Sequence, residues 1–182
     1  VPGQGLVPFE SLTLPGGSPA AQVLGAQALK PEQSLHASGG FVLSPSDRFD
    51  LTVDYYHIEI DDRVVLSGNF TGARITQLLA PFGANGARFF TNAIDTRTNG
   101  VDATANYRAE LGSAGTLRLS AGYNNTKTRI VGDVATPAQL AGFEQTLFDR
   151  IERRRIECGQ PKDSLRLSGD WKKGAWGANA RT

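Results

Sequence analysis

Residues 33–61 read QSLHASGGFVLSPSDRFDLTVDYYHIEID, and the alternation in this stretch decides the fold. On its first half Leu35, Ala37, Gly39, Phe41 and Leu43 fall on one side, with Ser34, His36, Ser38 and Gly40 on the other. On its second half Phe49, Leu51, Val53 and Tyr55 alternate with Asp50, Thr52, Asp54 and Tyr56. Successive side chains of a β-strand point to opposite faces, so a period of two means one apolar and one wet surface. The spacing predicts two strands joined by a tight turn at 44–48. Each strand has about ten residues, the length a tilted strand needs to cross a bilayer.

The same unit recurs downstream. Gly100–Arg108 places Val101, Ala103, Ala105 and Tyr107 opposite Asp102, Thr104, Asn106 and Arg108 in phase. After ELGSAG at 110–115, residues 116–127 alternate Leu117, Leu119, Ala121 and Tyr123 with Arg118, Ser120, Gly122 and Asn124. Ser164–Lys172 sets Leu165, Leu167, Gly169 and Trp171 against Arg166, Ser168, Asp170 and Lys172. A last strand follows Lys173-Gly174, with Trp176, Ala178 and Ala180 on its apolar side. Connections alternate in length: short at 44–48, 110–115 and 172–174, long at 62–99 and 130–163. Strands that run up and down in chain order gather the short turns at one end and the long loops at the other, the arrangement of outer-membrane barrels. Phe41, Phe49, Tyr107, Trp171 and Trp176 lie toward the short-turn end, and Tyr55 and Tyr123 toward the long-loop end, as two interfacial girdles would.

The sequence therefore predicts an all-β, antiparallel up-and-down meander, part of a large transmembrane β-barrel, with the loops at one end carrying a short helix. Residues 1–32, with Pro2, Pro8, Pro15, Pro19 and Pro31, are expected to be irregular, because proline removes ladder donors. Residues 33–182 form the partial barrel, with long loops 62–98 and 131–163. In the first loop Ala73–Leu79 suits a short helix stopped by Pro81. In the second, Thr136-Pro137-Ala138-Gln139 reads as a capping box, and Leu140, Phe143, Leu147 and Ile151 predict a helix over 137–153. The chain begins at Val1, contains no Met and ends in mid-pattern, as a piece of a longer barrel would.

Composition removes several function classes. A net charge of +1 gives no basic surface for nucleic acid. No apolar run is long enough for a membrane-crossing helix, which a strand-built barrel does not need. The single Cys158 forms no internal disulfide or thiolate zinc cluster. With two His, no Gly-x-Ser-x-Gly and no His-Glu-x-x-His, an enzyme is not expected. No metal or cofactor site is expected either; His57, Glu59 and Asp61 lack ligand-spaced company, and Asp61-Asp62 lacks the rest of a calcium loop. The face opposite the apolar one carries Asp50, Asp54, Asp102, Arg108, Arg118, Arg166, Asp170 and Lys172, which a water-filled lumen accounts for without catalysis.

Five segments carry a family likeness: LKPEQS at 29–34, LTVDYYHIEIDDRVVLSG at 51–68, FFTNAIDTRTNGVD at 89–102, GTLRLSAGYNNTKTRI at 115–130 and LFDRIERRRIECGQPKDSLRLSGDW at 147–171. In this order they resemble the C-terminal half of the barrel of TonB-dependent outer-membrane receptors. The resemblance implies a bacterial outer-membrane barrel of about 22 strands around a plug domain. It implies import of a scarce nutrient, such as a siderophore or oligosaccharide, with energy from the TonB complex. The partners it implies are the outer-membrane bilayer, the plug and TonB of the intact receptor, and an imported ligand of unknown identity. Plug and TonB box are missing from this stretch of chain. In the family an Asn–Asp–Thr–Gly run, here Asn92, Asp95, Thr98 and Gly100, marks the descent of a loop into its strand. We expect it to be structural, the Gly for an unusual backbone angle and the Asn and Asp for turn hydrogen bonds. Cargo contacts are expected within 62–98 and 131–163, at no particular residue. The other readings of the pattern are a passive porin-like barrel and a secreted soluble β-domain for carbohydrate binding or adhesion, since both also alternate.

Overall fold

The computed structural model describes residues 10–134 and 136–182. Six strands follow one another in a sheet in chain order: β2 (Gln33–Ser46), β3 (Phe49–Leu66), β4 (Gly86–Glu110), β5 (Thr116–Val131), β6 (Asp163–Lys173) and β7 (Trp176–Arg181). A short β1 (Ser11–Leu14) adds in parallel to the early part of β4, Ser11 facing Gly86 and Leu14 facing Phe89. The meander is the expected one, and the sheet is not closed: β2 and β7 are its ends.

Strand lengths differ from the sequence reading. β4 starts at Gly86 rather than Gly100, and β3 and β5 run on to Leu66 and Val131. The long connections shrink to 67–85 and 132–162, while the alternation of short and long survives. The polar run TNAIDTRTNG looks like a loop in one dimension but pairs as strand, because its backbone ladder needs no apolar side chains. Residues 11–14 and 19–22 of the stretch expected to be irregular are β1 and α1 (Pro19–Gln22). Pro19 takes the first helical position, where no amide hydrogen is required, and Ser18 Oγ accepts from the Ala21 amide. Helix α2 (Ala73–Leu79) is as expected. The single helix predicted over 137–153 does not form. The stretch holds a 3-10 turn at Ala138–Leu140, α3 (Glu144–Leu147) and α4 (Arg150–Cys158). Gly142 at φ 90° breaks the chain between them, and the Thr136 hydroxyl donates to the Val134 carbonyl instead of capping a helix.

The chain divides into two compact units. The first collects the described residues up to Ser34 with Ile60–Thr96 and Ile130–Ile156; the second collects Leu35–Glu59, Arg97–Arg129 and Glu157–Thr182. Every buried apolar residue among the described ones belongs to the first unit. Its centre is Leu24, Phe70, Ile75, Leu79, Phe89, Leu140 and Leu147, with the Phe70 and Phe89 rings stacked at 5.6 Å and Phe143 edge-on to Phe70 at 6.1 Å.

The second unit, built mainly of strands, has no such core among the described residues. Leu35 and Leu165 are each 62% exposed, Leu119 and Leu167 each 45%, and Trp176 77%. The register explains why these side chains share one surface. Leu117 faces Trp171, Ala121 faces Leu167 and Tyr123 faces Leu165, while Arg118 faces Asp170, Ser120 faces Ser168 and Asn124 faces Ser164. Directly opposite residues of an antiparallel pair lie on the same face, so apolar meets apolar and polar meets polar. From β6 to β7 the same holds: Trp171 faces Ala178 and Asp170 faces Asn179.

Candidate functional site

The polar face of the second unit is a bonded surface. Asn106 Nδ2 donates to Asp50 at 2.8 Å, Asn124 Nδ2 to Asp102 at 2.5 Å, and Asn179 Nδ2 to Asp170 at 2.5 Å. Each pair joins neighbouring strands, so the carboxylates stay solvated on one side and anchored on the other. Asp54 lies over Gly40, where a Cβ would collide with its carboxylate. Arg108 donates through Nε to Glu110 at 2.6 Å, and the Thr116 hydroxyl donates to the same carboxylate at 2.9 Å. Arg118, directly opposite Asp170, and Arg166, opposite Gly122, complete the residues assigned from sequence to this face. A concavity of about 340 Å³ is lined by Arg108, Thr116, Arg118, Asp170 and Lys172.

Tyr56 is the residue that sequence reasoning missed. Its ring lies over Gly100, in space a Cβ there would occupy, and its hydroxyl reaches the Thr126 hydroxyl on β5. Gly100 does not have a positive φ, so the expectation of an unusual backbone angle is corrected: the glycine leaves room for a ring. The signal was present as an aromatic and a glycine on the polar phase of neighbouring strands.

The other members of the Asn–Asp–Thr–Gly run hold the chain together locally. Asn92 accepts from the Lys30 amide and donates to the Lys30 and Asp62 carbonyls. Asp95 accepts from the Asp62 amide at 2.9 Å. Asp62, at φ 53°, is the one non-glycine residue with positive φ among the described residues, and these two side chains hold it there. Thr98 and Thr128 share a hydroxyl hydrogen bond at 2.8 Å.

On the opposite face, beyond Tyr55 and Tyr123 toward the long connections, lies a second polar cluster. Asn99 Oδ1 accepts from the Tyr55 hydroxyl and from His57 Nδ1, both at 2.7 Å. Glu59 contacts His57 Nε2 at 3.2 Å and Arg97 Nε at 2.9 Å. The hydrogen bond to Asn99 and then that to Glu59 hold the imidazole pKa above its ordinary value. Asp61 does not join them, and among the described residues no three His, Cys, Asp or Glu side chains converge as a metal would need. Cys158 is exposed and free.

Two clefts lie among the loops of the first unit. One, of about 280 Å³, is lined by Gly25, Gln27, Lys30, Asp62, Asn92 and Thr136. The other, of about 420 Å³, is lined by Ser67, Asn69, Arg88, Asp149, Glu152 and Arg155.

The family model described as TonB dependent receptor-like, beta-barrel matches residues 3–182. The chain belongs to that family. TonB-dependent receptors are transport proteins of the outer membrane, not a family of enzymes. Among solved structures, the copper transporter OprC is similar over 83% of this chain and 18% of its own, with a TM-score of 0.50 at 17% identity. At that identity the likeness is one of fold. A structure of the FpvAI–pyocin S2 complex is similar over 87% of this chain and 18% of its own, at 18% identity and a TM-score of 0.46, too low to support more. The chain thus spans about a fifth of the length of the structures it matches. No curated protein matches it.

Proposed function

We propose that this chain is a wall segment of an outer-membrane active transporter that imports a scarce nutrient with energy relayed from the TonB complex. In this reading the face bearing Leu35, Leu119, Leu165 and Leu167 meets lipid. The face bearing Asp50, Asp54, Asp102, Arg108, Arg118, Arg166 and Asp170 lines the lumen and meets the plug of the intact receptor. The observation that carries it is the contrast between the two units. The first unit has a stacked Phe70–Phe89 core, while the strands of the second leave large apolar side chains open on one face. Burying one Leu or Phe side chain is worth about 1.5–3 kcal/mol, so a row of them open to water would be a large penalty that lipid removes. A soluble carbohydrate-binding or adhesion domain would pack Leu119 and Leu167 inward, and they are 45% exposed.

Cargo meets the loop side in this reading, at the clefts by Lys30 and Asp62 and by Arg88 and Arg155. Asp95, Thr98 and Gly100 support the wall and do not touch cargo; Asn92 supports it too, and its residue also borders the first of these clefts. Uptake by cells that carry the intact receptor tests the energy source. A nutrient in scarce supply should enter only while the inner membrane is energised, and a protonophore should stop it. Uptake that persists through protonophore treatment would instead indicate a passive porin-like barrel.

A further inference from the structure

We infer that the stretch ahead of β2 and the two long connections, 67–85 and 132–162, make one cooperative loop body that opens as a whole and not loop by loop. None of the three stretches has the means to stand alone. Helices α1, α2 and α3 have four, seven and four residues, and an isolated helix shorter than about 12–15 residues is marginal in water. The larger core of the first unit draws on all of them. Ala21 and Leu24 come from the first stretch, Ile75 and Leu79 from the second, Leu140 and Leu147 from the third, and each is fully buried. Stretches this short have too few side chains to cover their own leucines, so the burial of each is supplied by the other two.

The backbones are joined pairwise as well. Between the second stretch and the third, the Gly68 amide donates to the Thr146 carbonyl at 2.9 Å, and a Cβ at Gly68 would stand 2.6 Å from that oxygen. Between the first and the second, the Asn85 and Gly86 amides donate to the Glu10 carbonyl at 3.1 and 3.2 Å, and Ser11 Oγ donates to Asn69 at 2.9 Å. Between the first and the third, Gly25 at φ 87° approaches so closely that a Cβ there would lie 2.7 Å from Pro137 and 2.6 Å from Gln139.

Swinging any one stretch outward therefore breaks its junctions with both others and uncovers their leucines. Partial opening then costs nearly as much as opening the whole, which is the condition for a single cooperative unit. On the reading that cargo meets the loop side, passage through these loops is one concerted event, and no single loop serves as a gate.

The test is amide hydrogen exchange of the full-length receptor in lipid nanodiscs, read by mass spectrometry at 20–26, 73–79 and 144–147. Each window holds bonded amides: Leu24 and Ala26 donate to the Ala21 carbonyl, Thr76 to Gly72, and Leu147 to Phe143. Gly68→Ala strains the junction between the second and third stretches, because the nearest neighbours of its new Cβ are all atoms of Thr146. A single cooperative body predicts exchange faster by about tenfold in all three windows, 20–26 included, since overpacking at one junction weakens the whole. Faster exchange at 73–79 and 144–147 with 20–26 unchanged would overturn the inference. The unmodified receptor supplies a second measurement. Over a series of low urea concentrations its three windows should converge on one opening free energy. Three lines that stay apart would overturn the cooperative body even where Gly68→Ala fails to fold. Neither readout involves uptake, so a negative result here leaves the protonophore test standing, and a porin-like result there leaves the loop body intact.

Discussion

Gly100→Ala is the substitution from which the structure predicts most for the least change in chemistry. A methyl group at this position would occupy the space of the Tyr56 ring, whose far atoms and hydroxyl lie where the new Cβ must go. Neither the β4 backbone nor a ring held between strands yields cheaply, so the ring must rotate away. Overpacking of this kind costs about 1–3 kcal/mol. Rotation also breaks the Tyr56–Thr126 hydrogen bond, worth about 0.5–1.5 kcal/mol. Together these give a loss of about 1.5–4.5 kcal/mol. The assay is urea-induced unfolding of the intact receptor in lipid vesicles, with Tyr56→Phe and Tyr56→Ala as companion variants. Tyr56→Phe removes only the hydroxyl and should cost about 1 kcal/mol. In the Tyr56→Ala background Gly100→Ala should cost far less, because the two positions contact each other and their effects should not add. Gly100→Ala within about 0.5 kcal/mol of the parent, or strict additivity with Tyr56→Ala, would refute the ring-over-glycine account.

Further outcomes follow from the same contacts. Leu119→Arg should cost about 2–4 kcal/mol in a bilayer if that residue sits near its midplane, while Ser120→Arg on the polar face should stay near neutral by the same unfolding measurement. Phe70→Ala should cost about 3–5 kcal/mol of local stability in the loop unit and should speed its proteolysis, since the ring is fully buried against Phe89 and Phe143. Asn92→Ala should expose the chain near Lys30 and Asp62 to faster amide exchange, because one side chain bonds to both segments. His57 should titrate above the ordinary imidazole value by NMR, and Glu59→Gln should lower it. Since its folded pKa is raised, its stabilisation is complete below the unfolded value and lost as pH rises through the folded one.

The meander, its faces and the alternation of short and long connections were legible because a period of two is written directly in residues such as Leu117, Leu119 and Tyr123. The extent of β4 was not, since in Asn92–Gly100 polar residues occupy both phases and the adjacent apolar Ala93 and Ile94 fall on opposite ones, which gives no period to read. The helix over 137–153 was misjudged because apolar spacing at Leu140, Phe143 and Leu147 suits a helix, while Gly142 has a left-handed backbone that interrupts one. α1 carried its signal in Ser18-Pro19, obscured by the prolines around it. The Asn–Asp cross-links and the Tyr56–Gly100 contact depend on register, which one strand's sequence does not contain.

The central claim is that odd-numbered positions of β5 and β6 meet lipid and even-numbered ones meet water. Nitroxide labels at Leu119, Ala121 and Leu167, compared with labels at Arg118, Ser120 and Arg166, test it in the intact receptor in liposomes. The account predicts that oxygen relaxes the first set strongly and a water-soluble nickel chelate does not, with the second set the reverse. Equal access of the chelate to both sets, or labels at Leu119 and Leu167 shielded from both relaxants in a packed interior, would contradict it.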